Sequence, residues 1–126
     1  MAKKILLVED DVSISRMLKT LLELEGFEVS TSDGALKDLP GLLQSFQPDF
    51  LIVDYHLKNA TAIDVLKLFD PILLKHRPFT LVISGEDQRE RCRSQGADGF
   101  LLKPFMPGEM IAWLHEREPL IDQRKD

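Results

Sequence analysis

Acidic side chains follow two apolar runs of the sequence, at the points where the runs end. Ile5-Leu6-Leu7-Val8 leads into Glu9-Asp10-Asp11, and Phe50-Leu51-Ile52-Val53 leads into Asp54. Apolar runs of this length are typical of strands buried on both faces of a parallel sheet. A carboxylate at such a point is either a reactive group or a turn former that ends the strand.

Two further apolar runs end in side chains that suit a phosphoryl group. Residues 79–83 lead into Ser84, and residues 99–102 lead into Lys103. Because ligand sites of open α/β sheets lie beyond the carboxyl ends of the strands, we expect all four strand ends to meet. Converging carboxylates repel each other unless a cation compensates, and oxygen ligands favour Mg²⁺. The Ser84 hydroxyl and the Lys103 ammonium suit the remaining phosphoryl oxygens, so the set predicts a site for Mg²⁺ and a phosphoryl group.

Helices between these strands must bring the strand ends to one edge. A first amphipathic helix is predicted by five apolar residues at helical spacing: Ile14, Met17, Leu18, Leu21 and Leu22. Asp11 or Ser13 can cap it, and Gly26 can end it. An edge strand is predicted over 27–30. Three further helices are predicted over 34–45, weakened at Pro40-Gly41, over 62–75, interrupted at Pro71, and over 86–95, stopped by Gly96. A last helix is predicted to begin at Pro107, to bury Met110, Ile111 and Leu114, and to end at Pro119. Five strands alternating with five helices predict an α/β fold, a doubly wound five-stranded parallel sheet with helices on both faces.

Length, charge and cysteine content restrict the class of protein. With 126 residues, the chain fits one domain over 1–119, followed by a polar, frayed tail over 120–126. No apolar stretch is long enough for a signal peptide or a membrane span, so we expect no membrane contact. The formal net charge of −5 argues against direct binding to nucleic acid. The single cysteine, Cys92, is predicted to be an exposed thiol, and a chain without an internal disulfide indicates a reducing, cytoplasmic location.

The four strand-end motifs resemble those of one known family. Ile5 to Asp11, Leu51 to Asp54, Leu81 to Gly85 and Leu101-Leu102-Lys103-Pro104-Phe105 are similar, in this order and spacing, to the receiver domain of two-component response regulators. The resemblance covers nearly the whole chain. It implies a flavodoxin-like sheet of the receiver type.

The resemblance also implies roles for the acidic residues. Asp54 matches the aspartate that a histidine kinase or a histidine phosphotransfer protein phosphorylates. Glu9 and Asp10 match the acidic pair that holds Mg²⁺, with Asp10 as a direct ligand, and Asp54 and the backbone carbonyl of His56 would be further ligands. The protein would then be a signalling switch that takes part in its own phosphorylation and dephosphorylation, rather than an enzyme.

Three more residues match the part of the family that reads the phosphoryl group. Ser84 matches the switch hydroxyl, and Lys103 matches the lysine that pairs with the phosphoryl oxygens and precedes a cis proline. Phe100 matches the switch aromatic residue, which turns inward when the hydroxyl moves. The output would be a changed surface for a downstream protein partner, and pairing of two chains through the fourth or the last helix stays open.

Each residue also has a plain structural interpretation. The acidic run at residues 9–11 can favour a helix N-terminus, Ser84 can be a turn residue, and Lys103 can be solvated. Phe100 can fill the core, and His56 can be a solvated loop residue. The combination of all four strand ends favours the receiver interpretation over these.

Two features depart from the family pattern. After Asp54 the family often has a proline and a glycine-rich turn, whereas this chain has Leu57-Lys58-Asn59-Ala60-Thr61-Ala62. Alanine adopts positive φ less readily than glycine, so this loop is predicted to have an atypical shape. The interval from Ser84 to Lys103 is a few residues shorter than usual, which predicts a truncated fourth helix on the usual output face.

Three alternatives compete with a stand-alone receiver. The first is a receiver cut from a longer regulator or hybrid kinase, with residues 121–126 as the start of a linker. The second is a docking receiver that is never phosphorylated. The third is a phosphatase of the haloacid-dehalogenase type, which also uses a nucleophilic aspartate but has a second carboxylate where this chain has His56.

Overall fold

A computed structural model describes residues 2–69 and 74–124, in which strands and helices alternate. The strands are β1 (Lys4–Val8), β2 (Glu28–Ser32), β3 (Phe50–Asp54), β4 (Phe79–Ser84) and β5 (Gly99–Leu102). The helices are α1 (Val12–Leu24), α2 (Leu39–Phe46), α3 (Ala62–Leu66), α4 (Arg89–Ser94) and α5 (Pro107–Arg124). All strand pairs are parallel and the order is β2-β1-β3-β4-β5, which confirms the predicted sheet.

Side chains of the central strands alternate between two apolar layers. Leu6, Val8, Leu51, Val53 and Val82 pack with residues of α2, α3 and α4. Ile5, Leu7, Ile52, Leu81 and Ile83 pack with residues of α1 and α5. Because successive side chains of a strand point to opposite faces, a continuous apolar run satisfies both layers. Helices therefore cover both faces of the sheet, and the ends of the strands are left to carry reactive side chains.

The first helix follows its sequence pattern with one exception. The Asp11 carboxylate accepts a hydrogen bond from the Ile14 N–H, and Gly26 adopts a positive φ of 95° just after the helix, so the predicted cap and stop are confirmed. Leu18 and Leu22 are buried, whereas Met17 is 54% exposed. The apolar face is narrower than predicted because α1 contacts only one layer.

Two helices are shorter than predicted, for reasons of local chemistry and packing. Helix α2 begins at Leu39 rather than at residue 34 because Pro40 fits the first turn, where no intrahelical N–H is needed. Helix α3 ends at Leu66, after which Leu68 and Phe69 pack against the core instead of continuing the helix. The interruption predicted at Pro71 lies outside the described residues.

Helix α4 is also shorter than the predicted range of 86–95. The Glu86 N–H donates to the Ser84 hydroxyl and the Arg89 N–H donates to the Asp87 carboxylate, so side chains hold a turn before the helix. Gly96, at a φ of 104°, follows the helix as predicted. Cys92 lies on its inner face and is fully buried, so the prediction of an exposed thiol is wrong; burial raises the pKa of this thiol.

The last helix continues through Pro119 to Arg124, so the prediction that proline ends it is wrong. Packing and polar contacts beyond the proline outweigh the hydrogen bond that it removes. Ile121 is fully buried, Lys3 donates to Asp122, and Arg124 donates to the Arg77 carbonyl at 2.7 Å. The expected fraying is therefore wrong for residues 120–124, while the domain limits 1–119 and 120–126 stay a prediction.

A close contact joins the edge strand β5 to α5. A Cβ atom placed on Gly99 would lie 2.3 Å from the Trp113 Nε1, so glycine alone lets the indole lie against the strand. The Arg117 guanidinium stacks over the same indole at 4.0 Å from the ring centroid. Within the described parts of the chain, no helix is long and apolar enough to cross a membrane.

Replacement of Ile121 by alanine tests the packing of α5 beyond Pro119. We expect Ile121→Ala to lower the free energy of unfolding by about 2–5 kcal/mol, because it leaves a cavity in the core. Leu120→Ala is the matched control, since Leu120 is 44% exposed on the same turn and its loss should cost far less. Urea unfolding measures both, and equal effects would contradict the observed packing.

Candidate functional site

The ends of β1 and β3 bring three carboxylates together. Glu9, Asp10 and Asp54 each offer an oxygen atom such that all three atoms lie within 4.8 Å of one another. Val8 pairs with Val53 in the parallel register, which sets the two acidic ends side by side. Glu9 and Asp54 are buried, so little solvent separates their charges.

The Lys103 side chain supplies the positive charge nearest to this cluster. Its Nζ lies 3.2 Å from the Asp54 Oδ2, and the lysine is half-buried. The Lys103 N–H donates to the Ser84 carbonyl at 2.7 Å, which fixes the start of the β5–α5 loop against β4. The peptide bond between Lys103 and Pro104 is cis, in agreement with the sequence resemblance.

Glu9 is the acidic residue that burial perturbs most clearly. Desolvation raises the pKa of Glu9 to about 7, and the neighbouring charge of Asp54 acts in the same direction, while a hydrogen bond from the Asp11 N–H opposes it. The Glu9 Oε2 is buried and has no hydrogen-bond partner among the residues that the structure describes. An unpartnered buried oxygen beside two other carboxylates fits a hard divalent cation, and Mg²⁺ takes oxygen ligands of this kind.

The residues that follow β3 form a closed turn. The Leu57 N–H donates to the Ala60 carbonyl, and the Ala62 N–H donates to the Tyr55 carbonyl. Among the described residues other than glycine, positive φ occurs at Gln47 alone, so neither alanine is strained. The turn needs no left-handed residue at Ala60 or Ala62, and the atypical shape of this loop stays a prediction.

His56 and Glu86 lie at the rim of the site and contact each other. The His56 Nε2 is 2.8 Å from the Glu86 Oε1, and both side chains are exposed. Sequence reasoning missed Glu86, although it follows Ser84 at the same interval as His56 follows Asp54. Since β3 and β4 are neighbours, that equal spacing is the signal that would have predicted the contact. The role of the His56 carbonyl as a metal ligand stays a prediction.

Ser84 ends β4, the strand next to that of Asp54, and Phe100 lies on β5, one strand further out. Ser84 is fully buried, and its hydroxyl accepts the Glu86 N–H at 3.0 Å. Phe100 is half-buried against the core, and the Arg89 guanidinium lies 5.3 Å from its ring centroid, a contact that sequence reasoning also missed. A cleft of about 180 Å³ lies beside the ring and is lined in part by Cys92 and Ala97.

The raised pKa of Glu9 predicts how pH affects stability without metal. A carboxyl whose pKa is above its ordinary value of 4.5 stabilises the fold most when protonated. In metal-free protein the free energy of unfolding should therefore fall as the pH rises from about 4.5 to about 7, by at most a few kcal/mol. Urea unfolding across this range measures the change.

Substitution of Glu9 separates its contribution to the pH dependence of stability from the contributions of other titrating groups. Glu9→Gln should flatten the pH dependence between those limits, whereas Glu23→Gln, on the exposed side of α1, should leave it unchanged. Added Mg²⁺ should oppose the loss of stability above pH 7. Identical pH profiles for the wild type and Glu9→Gln would contradict the assignment.

Comparison with known proteins agrees with this geometry. The family model described as "Response regulator receiver domain" matches residues 5–115. The chain is 36% identical over 111 residues to the transcriptional regulatory protein CpxR homolog of Haemophilus influenzae, covering 86% of this chain and 47% of that protein. It is 34% identical over 124 residues to the phosphate regulon transcriptional regulatory protein PhoB of Rhizobium meliloti, covering 89% and 50%. The chain thus spans about half the length of these curated relatives.

A solved structure gives the same result for nearly the full chain. The chemotaxis protein CheY4 of Vibrio cholerae superposes with a TM-score of 0.79 at 26% identity, covering 92% of this chain and 98% of that one. The receiver domain of a response regulator from Bermanella marisrubri, at 24% identity, shares the fold with a TM-score of 0.82. From the matched range, the relatives and the fold together, the chain belongs to the response regulator receiver domain family.

Proposed function

We propose that this receiver accepts a phosphoryl group on Asp54, in a Mg²⁺-dependent reaction, from a histidine kinase or a histidine phosphotransfer protein. The observation that carries the proposal is the position of the Asp54 carboxylate, 3.2 Å from the Lys103 ammonium and beside Glu9 and Asp10. A nucleophile held between a cation and an acidic metal site has what phosphoryl transfer requires.

The proposed chemical step is an in-line displacement. An Asp54 carboxylate oxygen attacks the phosphorus atom, an acyl phosphate bond forms, and the bond to the donor breaks with its electron pair leaving on the donor. Lys103 neutralises charge on the phosphoryl oxygens, and the acidic pair Glu9 and Asp10 would hold Mg²⁺, with the His56 carbonyl as a further ligand. Bound Mg²⁺ would supply a second positive charge for those oxygens. Positioning and electrostatics then provide most of the rate, and water attack on the acyl phosphate resets the site.

The proposed readout depends on Ser84 and Phe100. A phosphoryl group on Asp54 would carry roughly −1.5 to −2 charges at pH 7, in place of the single charge of the carboxylate, and would bring new acceptor oxygens. The Ser84 hydroxyl, which accepts from Glu86 in the present state, would donate to one of these oxygens instead. The cleft beside Phe100 gives its ring space to move, which would change the surface formed by α4 and β5.

Protein partners fit this surface better than nucleic acid. The chain carries a formal net charge of −5, which disfavours direct contact with a phosphate backbone. We therefore propose a downstream protein partner, with pairing of two chains as a further possibility. The names of the relatives describe transcriptional regulators, and contact of a whole regulator with DNA is a separate question. A cytoplasmic location also stays a proposal.

Intact mass after incubation with acetyl phosphate and Mg²⁺ tests the chemical step. We expect one added phosphoryl group in the wild type, none in Asp54→Asn, and none when a chelator removes the metal. Lys103→Gln should slow the reaction by on the order of a hundredfold, because it removes the cation nearest to the acceptor.

The same experiment distinguishes the alternatives. No adduct in a protein that still binds Mg²⁺ would overturn the proposal in favour of a docking receiver. Sustained turnover of a generic phosphomonoester would favour the phosphatase instead. His56, which contacts Glu86 at the rim, stands where that chemistry needs a carboxylate.

Substitution of Ser84 tests the readout separately from the chemistry. Ser84→Ala should still form the adduct but lose the phosphorylation-dependent change in the Phe100 ring resonances, because no hydroxyl remains to follow the phosphoryl group. Ser84→Thr, which keeps the hydroxyl, should restore that change. An unaltered Phe100 response in Ser84→Ala would show that the ring is not coupled to this hydroxyl.

A further inference from the structure

A second cleft lies at the amino-terminal ends of the strands, on the side of the sheet opposite to Asp54. It is lined in part by Lys4 at the start of β1, by Asp49 just before β3, and by Arg124 at the end of α5. Its volume is about 440 Å³, within the usual range for small-molecule sites. None of the residues assigned to phosphoryl chemistry contributes to it.

Positive charge dominates the lining of this cleft. Lys4, Lys75 and Arg124 contribute three cationic groups, and His76 adds an imidazole, against the single carboxylate of Asp49. The whole chain, by contrast, has a formal net charge of −5. A local surplus of cations within an acidic protein attracts anions to this edge.

The Asp49 carboxylate does not occupy all of the hydrogen-bond donors around it. Its Oδ2 accepts the Lys4 backbone N–H at 2.8 Å, and its Oδ1 lies 3.9 Å from the Arg124 Nη2. The carboxylate is buried and serves to hold the first residue of β1. The Lys4 ammonium donates to the Phe46 carbonyl at 3.3 Å and lies 5.5 Å from the centroid of the Phe46 ring, although it has three N–H donors.

The other cations also have donor capacity left. The Arg124 Nη1 donates to the Arg77 carbonyl, while its Nε has no acceptor among the described residues. The Lys75 ammonium and the His76 ring form no hydrogen bond or ion pair with any residue in the described part of the chain, and both residues are exposed. Unlike Arg89 and Arg93 of α4, which pair with Asp87 and Glu90, the side chains of Lys4 and Lys75 form no ion pair among the described residues.

We propose that this cleft binds a small polyvalent anion whose phosphoryl or carboxylate oxygens accept hydrogen bonds from Lys4, Lys75 and Arg124. Several charges are needed on the ligand because three cations line the cleft and Asp49 offsets only one of them. Charge-assisted hydrogen bonds to such oxygens are the strong class, so binding should be specific for polyvalent over monovalent anions. Binding there does not require a phosphoryl group on Asp54, because the site lies at the starts of the strands rather than at their ends.

Backbone amide shifts of ¹⁵N-labelled protein test the proposal. The titrants are pyrophosphate and citrate, which separate phosphoryl from carboxylate ligands, with sodium chloride at matched ionic strength as the reference. Metal is removed beforehand on a chelating resin, because a free chelator is itself a polyanion. We expect saturable shifts at the Lys4, Asp49 and Lys75 amides with at least one polyanion, and no saturable change with chloride.

Variants link those shifts to the cleft. Lys75→Gln should weaken binding about tenfold, the effect of losing one hydrogen bond to a charged group. Lys37→Gln, an exposed lysine outside the cleft, should leave the affinity unchanged, and Asp54→Asn should leave the shifts in place. Linear shifts that chloride reproduces, shifts confined to the residues around Asp54, or equal affinities for Lys75→Gln and the wild type would each overturn the proposal.

Discussion

Repulsion between buried carboxylates is the constraint on which the site depends. Glu9 and Asp54 share a desolvated position, and the pKa of Glu9 is raised as a result. Only Lys103 lies within ion-pair distance of Asp54 among the described residues, and it leaves one Glu9 oxygen without a partner. The protein thus retains an excess of negative charge that a divalent cation can neutralise. The groups whose ionisation destabilises the metal-free fold are therefore the same groups that would hold the metal for chemistry.

The sheet makes this crowding possible. Parallel pairing of β1 with β3 and of β3 with β4 places all their carboxyl ends at one edge. Two apolar layers hold the strands from both faces, so the acidic ends cannot move apart without disturbing the core. Electrostatic strain at the edge is therefore balanced by burial elsewhere, which is the arrangement expected of a functional site.

The strand ends were predictable from sequence because each follows an apolar run that only a doubly covered strand satisfies. Asp54, Ser84 and Lys103 lie where that reasoning expects. The errors came where tertiary packing overrides local propensity. Pro119 lies inside α5 because Ile121 fills the core beyond it, and Cys92 is buried although its neighbours in sequence are arginines. Contacts between loops, such as that of His56 with Glu86, depend on both the spacing after each strand and the strand order; the sequence shows the equal spacing, whereas the order of the strands comes from the fold.

The contact between Gly99 and Trp113 has a mechanical consequence. Since a methyl group could not fit between strand and indole, β5 and α5 are in such close contact that neither can slide past the other. Helix α5 is 18 residues, or about 27 Å, long, and it runs from the Lys103 loop to the opposite edge of the sheet. A displacement of β5 would therefore rotate α5 as a rigid body. Arg124 lies at the far end of α5, so a movement at the carboxyl ends of the strands would displace this residue at their amino-terminal ends.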